Sequence, residues 1–455
     1  MIDGLRPYPE MKQTGLPWLG EVPQHWEVRR NGRLFGARRE TGFPDLPVLE
    51  VSISRGVRIR DFDGGGRKQE MADRSKYQRA VRGDIAYNMM RMWQGAVGIA
   101  PADGLASPAY VVARPFPESD AGYYAYLFRT AAYMRETDVF SRGIVPDRNR
   151  LYWESFKQMP SVYPPIDEQR LIVRFLDWHG AQTATLIRAK KKLVALLNEQ
   201  KQAVIHRAVT RGLDPSVGLK PSGVPWIGDI PENWTVSRVK SEFKCLNARR
   251  IPLSSTQRGS MTIRRYDYYG ASGIIDQVEV FIFDDELLLI AEDGANLVLR
   301  NLPLAIIANG RFWVNNHAHI LKPRRGDIRF LAAVLEGLSF RPWISGAAQP
   351  KLTQDRLMGI AIAVPPGEQQ QAIIRSCDDS TYELSRAMDA GAREISLIQE
   401  FRARLIADVV TGKLDVRAAA ASLPEATEFE PAEMLADDEE AESDLEQAET
   451  EELAA

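Results

Sequence analysis

Apolar positions alternate at steps of three and four through two long stretches of the chain. In the second they fall at Met388, Gly391, Ile395, Ile398, Arg402, Leu405 and Val409. The matching positions in the first are Ile187, Lys190, Val194, Leu197, Lys201, Val204 and Ala208. This is a heptad seam, interrupted by Lys190, Lys201 and Arg402, and it predicts two long helices over roughly 166–211 and 367–412. Pro164-Pro165 and Pro365-Pro366 stand just before them, where a missing N–H costs nothing. Asp167, Glu168 and Glu368 suit a helix N-terminus, and Gly212 and Gly412 suit a helix stop. Forty-four helical residues reach about 66 Å at 1.5 Å per residue. One apolar stripe does not hold such a helix alone. Packing of the two on each other is the economical solution, and packing on an outside partner competes with it. Leu171, Ile172, Phe175, Leu176, Trp178, Leu193 and Leu196 are more apolar positions than one seam uses, which favours partners.

Shorter runs with strand patterning lie between the helices. They are Val48–Val51, Asp84–Tyr87, Ala109–Ala113, Val278–Phe283, Leu287–Ala291, Leu304–Ala308 and His319–Lys322, punctuated by turns such as Asp63–Gly66 and Ala291–Gly294. Short helices are expected at 121–134 and 327–338.

The order of elements repeats. Gly15–Val28 reads GLPWLGEVPQHWEV and Gly223–Val236 reads GVPWIGDIPENWTV. Pro164–Asp177 aligns without gaps on Pro365–Asp378, and the register holds to Val209–Asp214 against Val410–Asp415. The segments between the repeats do not match. The expected fold is therefore α/β (α+β), internally duplicated about a pseudo-twofold. Residues 1–163 form a first variable block with a cap at 15–35, and 164–214 a long helix. Residues 215–364 form a second block with a cap at 223–243, and 365–417 a second long helix running antiparallel to the first. In such a quasi-circular chain the first cap packs near Gly412. Residues 418–455 form an acidic tail, for which disorder is the default.

Composition sharpens this picture in one respect. Of 61 acidic residues, 14 lie from Ala421 onward, where none of the 58 basic residues occurs. The rest of the chain thus carries 47 acidic against 58 basic residues, a surplus of 11 positive charges that suits a polyanionic partner. There is no apolar run long enough for a membrane and no apolar signal core at the N-terminus, so a cytoplasmic location is expected. Cys245 and Cys377 lack ligand spacing and read as buried thiols.

Catalytic signatures are missing. No glycine-rich phosphate loop is followed by Lys-Ser or Lys-Thr, and Asp63–Lys68, which lacks the spacing and the following helix, reads as a mobile loop. His317 and His319 share one face of a strand without a third ligand, so a polar or DNA-facing pair is the better reading than a metal site. No triad is apparent.

The residues do carry a family resemblance. Over residues 12–417 the chain resembles the specificity subunit of type I restriction-modification systems. The resemblance rests on the cap at Gly223–Trp234, its variant at Gly15–Trp26, and the Pro-Pro-x-x-Glu-Gln run at Pro164–Gln169. The second copy departs mildly, with Gln369-Gln370 replacing the Glu-Gln pair. Gly83–Gly95 resembles one class of target recognition domain; Tyr268–Ile274, Leu289–Gly294 and Trp313–His319 resemble a second. The acidic tail falls outside the usual pattern. The resemblance implies a DNA-binding subunit that catalyses nothing and binds no cofactor. Two target recognition domains each read half of a split, asymmetric site in double-stranded DNA. The helices bind two methyltransferase subunits, which hold S-adenosylmethionine, and motor-nuclease subunits complete the restriction complex. An autonomous DNA-binding protein without enzyme partners is the alternative, and an enzyme with an unfamiliar site in the variable blocks is a third reading.

Candidate contacts follow from side-chain chemistry. Arg55, Arg58, Arg60, Arg67 and Lys68 form a basic run suited to phosphate. Asn88, Arg91 and Gln94 suit base edges, because Asn and Gln pair two-pronged with adenine and Arg with guanine. In the second block Tyr268, Tyr269 and Ser272 lie at a Gly-flanked turn, and Asn315, Asn316 and His317 at another. Arg142, Arg148 and Arg150 flank the first helix, and Gln349 and Lys351 the second.

Overall fold

The computed structural model describes residues 5–60, 74–142, 149–346 and 349–423. The chain divides into two compact units, Met1–Lys190 with Arg393–Ala455, and Lys191–Ala392. The fold mixes helix and sheet. Its long helices are Ile166–Arg211, of 46 residues, and Gly367–Val410, of 44. The unit boundary falls inside both.

In the first unit a cap hairpin pairs Met11–Gln13 with Glu21–Pro23, and Glu27–Arg30 then pairs with Pro160–Tyr163 just before the long helix. The variable block between them holds two four-stranded sheets. One runs in the order Gly56–Ile59, Val48–Ser52, Gly104–Ala106, Gln78–Ala80; the other in the order Phe35–Ala37, Tyr110–Pro115, Ile85–Asn88, Val97–Ile99. Its core is aromatic. Phe35 and Tyr124 meet edge to face with ring centroids 5.1 Å apart, and Phe128 and Tyr133 pack at 4.7 Å.

The second unit repeats the frame. Leu219–Pro221 pairs with Asp229–Pro231, and Thr235–Arg238 with Ala361–Val364. The variable block differs. Here one six-stranded sheet runs in the order Phe243–Cys245, Ala318–Pro323, Phe283–Ala291, Ala305–Val314, Tyr266–Gly270, Gly273–Val278.

The repeated motifs make repeated joints. Trp26 and Trp234 are buried, and their indole N–H groups donate to Glu168 and Gln369 at 3.1 and 3.3 Å. Gln169 accepts the backbone N–H of Asp120 at 2.8 Å and donates to the Pro164 carbonyl at 2.8 Å. Gln370 accepts that of Asp327 at 2.7 Å and donates to Pro365 at 3.0 Å. Asp120 and Asp327 cap the helices Ala121–Phe128 and Ile328–Gly337 by accepting first-turn N–H groups. The Pro-Pro run thus ends in an amide that fixes each block's capping residue to the long helix. Glu168 does more than Gln369, since it also accepts from Tyr8 at 2.5 Å and pairs with His25 at 2.8 Å.

Within each unit the helix segments run antiparallel. In the first, Ile172, Phe175 and Leu176 share a core with Leu405, Val409 and Val410 at one end, while Lys190 pairs with Glu394 at the other. In the second, Val194 sits against Gly391, and Ala208 and Val209 share a core with Ile373, Ile374 and Cys377. Gly412 packs against Pro23 and Trp26 of the first cap. Ile172, Phe175 and Leu176 are consumed by the first unit's core, which corrects the count of apolar positions left for partners. Leu193 and Leu196 remain about half exposed. Cys377 is buried and Cys245 half-buried.

Two expected elements differ. Val278–Phe283 is not a strand: one strand ends at Val278 and the next begins at Phe283. The Glu279 carboxylate accepts the backbone N–H groups of Thr262 and Ile263, drawing the connection toward that loop. The helix expected at 121–134 is two, Ala121–Phe128 and Ala131–Phe140, because the Thr130 hydroxyl caps the second by accepting Tyr133 N–H.

Candidate nucleic-acid interface

In the second block the structure gathers segments far apart in sequence. The turn after Tyr266–Gly270 exposes Ser272 and lies beside Asn315, whose backbone N–H donates to the Tyr269 carbonyl at 2.9 Å. Asn315 is buried and its side-chain oxygen accepts His317 N–H at 2.8 Å, so it shapes the loop. Asn316 and His317 are exposed on that loop. The His317 imidazole Nδ1 lies 2.9 and 3.0 Å from the two Asp293 oxygens. Asp293 and Ser345 each form a backbone bridge to Lys351, which is exposed beside Gln349.

A charged cluster underlies this surface. Arg250 donates to the carbonyls of Asn316 and Ala318 at 3.0 Å each and to the Glu292 carboxylate at 2.5 Å. Lys351 reaches Glu292 at 3.3 Å. Burial pushes the Glu292 carboxyl up, but the Arg250 hydrogen bond and the neighbouring positive groups outweigh it and hold it below its ordinary value. Arg250, Glu292 and Asp293 were not singled out from the sequence. Only the Glu-Asp-Gly turn at 292–294 hinted at two of them.

Two expectations need correction. Tyr268 and Tyr269 are buried, 1% and 9% exposed, because their strand lies inside the sheet. The Tyr268 hydroxyl contacts the backbone of Leu253, and the Tyr269 ring meets Phe312. His317 and His319 also do not act as a pair. His319 is fully buried, its Nε2 on the Leu352 carbonyl at 2.7 Å and its Nδ1 on the Asn247 amide at 2.8 Å.

In the first block, Asn88–Gln94 forms a tight turn after a strand. The Asn88 side-chain oxygen accepts Met90 N–H at 3.0 Å, which holds the side chain against its own turn and leaves a second lone pair and the amide N–H groups for a base edge. The Trp93 indole donates to the Met90 carbonyl, and Arg91 and Gln94 are half-buried. Arg129 links the following strand Val97–Ile99 to the residues just before Arg55, donating to the carbonyls of Val97, Ser54 and Ile53. Arg55 and Arg60 are half-buried, and Arg58 is exposed and pairs with Glu50. Arg142 and Arg150 are exposed and face each other across a backbone bridge. Arg67, Lys68, Arg148 and the acidic tail from 424 lie outside the described residues.

Among the described residues no group of side chains is arranged to hold a metal, and no helix is long and apolar enough to cross a membrane.

Comparison with known proteins adds to this geometry. Residues 231–387 match the family described as the type I restriction modification DNA specificity domain. A putative type I restriction enzyme specificity subunit of Haemophilus influenzae is 37% identical over 138 residues, covering 30% of this chain and 34% of that protein. The match thus spans about a third of that relative. A putative MjaX specificity subunit of Methanocaldococcus jannaschii is 23% identical over 429 residues, covering 88% of this chain and 96% of that one. Among solved structures, a chain from a study of complex assembly and conformational transition of the type I restriction-modification system superposes with a TM-score of 0.52. It is 14% identical, with 86% of this chain and 98% of that one covered, and shares the fold.

Proposed function

Because the chain belongs to the specificity subunits of type I restriction-modification systems, we propose that it is the non-catalytic, DNA-reading member of a methyltransferase and restriction complex. Each recognition block reads one half of a bipartite site in double-stranded DNA. The site is asymmetric because one block is built on two four-stranded sheets and the other on one six-stranded sheet. The observation that carries this reading is the pairing of identical frame joints, Gln169 with Asp120 and Gln370 with Asp327, with unlike recognition surfaces.

The long helices dock two methyltransferase subunits, and motor-nuclease subunits complete the assembly. S-adenosylmethionine is held by the methyltransferase partners, and this chain contributes no group to the methyl transfer. Leu196 and Leu397 support two docking sites. They occupy equivalent positions in the duplication and are 52% and 63% exposed. An apolar side chain that exposed on a long helix suits a partner surface.

Co-expression with the methyltransferase partner, followed by genome-wide mapping of N6-methyladenine, tests the reading. A split, non-palindromic motif methylated only when this chain is present is expected. Methylation independent of this chain, or a palindromic motif, defeats it.

A further inference from the structure

His317 is the one imidazole in the second block with an exposed edge on the loop beside Ser272 and Asn316. Its Nδ1 faces both Asp293 oxygens at 2.9 and 3.0 Å. A carboxylate only accepts, so Nδ1 carries a hydrogen, and of the two neutral tautomers the one that fits Asp293 has its lone pair on Nε2. Nε2 has no partner among the described residues, and the side chain is 46% exposed.

The ring is held in place from several directions. Asn315 accepts His317 N–H, the His317 carbonyl accepts Glu292 N–H, and Arg250 holds the carbonyls of Asn316 and Ala318. The charged groups around it are Asp293, Glu292, Arg250 and Lys351. Glu292 is occupied by Arg250 and Lys351, which leaves Asp293 as the carboxylate that orients the imidazole. A fixed tautomer on a fixed loop is a pre-organised acceptor.

We propose that His317 reads a base edge and that Asp293 is its positioning residue, presenting Nε2 as an acceptor for an exocyclic amine. In the major groove that means the N6 amino group of adenine or the N4 amino group of cytosine. The inference rests on the DNA-reading assignment and deepens it. An Asn at 293 removes the constraint. Its amide either accepts from Nδ1–H or donates to Nδ1, and in the second case the ring hydrogen moves to Nε2, which then suits the carbonyl oxygens of guanine or thymine.

The test is selection of duplexes, randomised at both half-sites, by the full chain with its methyltransferase partners, for the wild type, His317→Ala and Asp293→Asn. His317→Ala is expected to lose about 5- to 150-fold discrimination at one base pair of one half-site. Asp293→Asn is expected to make that same base pair permissive for guanine or thymine, with an unchanged urea midpoint, which a merely structural role does not predict. Wild-type preference in His317→Ala at every position overturns the proposal. Relaxation in His317→Ala without relaxation in Asp293→Asn overturns the positioning role. Should His317→Ala not fold, His317→Gln, which adds a donor beside its acceptor, is scored by the same selection. Failure of the wild type to select any bipartite sequence sinks the underlying DNA-reading assignment instead.

Discussion

Trp26 closes over Gly412. A Cβ placed on Gly412 falls 2.9 Å from the indole Cζ3 and closer still to the Pro23 ring. The corresponding pair in the second unit, Trp234 and Gly212, leaves 3.6 Å. Both glycines end a long helix in the left-handed region, with φ of 76° and 74°. The backbone cost of alanine is therefore the same at both sites, roughly 1–2 kcal/mol. The steric cost is not. Gly412→Ala is expected to destabilise the first unit by clearly more than Gly212→Ala destabilises the second, by about 1–3 kcal/mol in addition. Urea unfolding of the two variants measures the difference, and equal losses would show that the first cap does not press on the helix end.

Gln169 and Gln370 carry a second expectation. Each accepts one backbone N–H from a capping residue and donates to a proline carbonyl. A glutamate at either position keeps the acceptor but loses the donor, and sets a carboxylate against a carbonyl oxygen. Gln169→Glu is expected to cost about 1–3 kcal/mol. Hydrogen exchange should accelerate first in Ala121–Phe128, the helix that Asp120 caps. In Gln370→Glu the faster exchange should appear in Ile328–Gly337.

The frame was legible because its signals are local. Heptad spacing, prolines before the helices and glycines after them lie within a few turns of the residues they govern. The recognition surfaces were only partly legible. Tyr268 and Tyr269 look exposed beside Gly270, and they are buried because strands at 305–314 and 273–278 flank theirs, which no local pattern records. Asn88 has the chemistry to read adenine, and its oxygen also accepts Met90 N–H two residues later, a turn contact the residue type alone does not record. Arg250 meets Glu292 across 42 residues, a pairing set by sheet order.

Arg91 and Arg58 separate base contact from phosphate contact in the first block. Arg91 stands in the turn after the strand Ile85–Asn88; Arg58 is exposed on an edge strand. Arg91→Ala is expected to relax sequence choice in one half-site by about 1–3 kcal/mol. Arg58→Ala should weaken binding alike on all sequences and make the slope of log K against log salt shallower by about 0.9. Competition binding at several salt concentrations distinguishes them. Uniform weakening in Arg91→Ala would reassign it to phosphate.

His319 makes the second unit sensitive to mild acid. Burial pushes its pKa below the ordinary histidine value. Its Nε2–H donates to the Leu352 carbonyl while Nδ1 accepts from Asn247, so the neutral ring is fully satisfied and a second proton would face an amide donor. With the folded pKa depressed, the unfolded chain binds the proton more readily. The stabilisation is therefore complete above about pH 6.5 and declines as pH falls below it. His319→Gln is expected to lower stability at pH 7.5 yet flatten its dependence between about pH 6.5 and 5, above the carboxylate range. Urea midpoints across that interval measure it, and a wild-type midpoint that stays level from pH 7 to 5 would refute the assignment.

Leu196 and Leu397 test the docking of partners. Both are more than half exposed, so replacing either with aspartate removes little core packing and should leave the urea midpoint within about 0.5 kcal/mol of wild type. A charge at the centre of an apolar contact is strongly unfavourable unless it is paired. Leu196→Asp and Leu397→Asp should therefore each reduce the number of methyltransferase subunits bound from two to one, and the double variant should bind none. Light scattering of the purified complexes counts them. Because the two leucines are equivalent in the duplication, loss of both partners from a single substitution would mean that the partners bind cooperatively through each other, and full retention in the double variant would place the docking surface elsewhere on the chain.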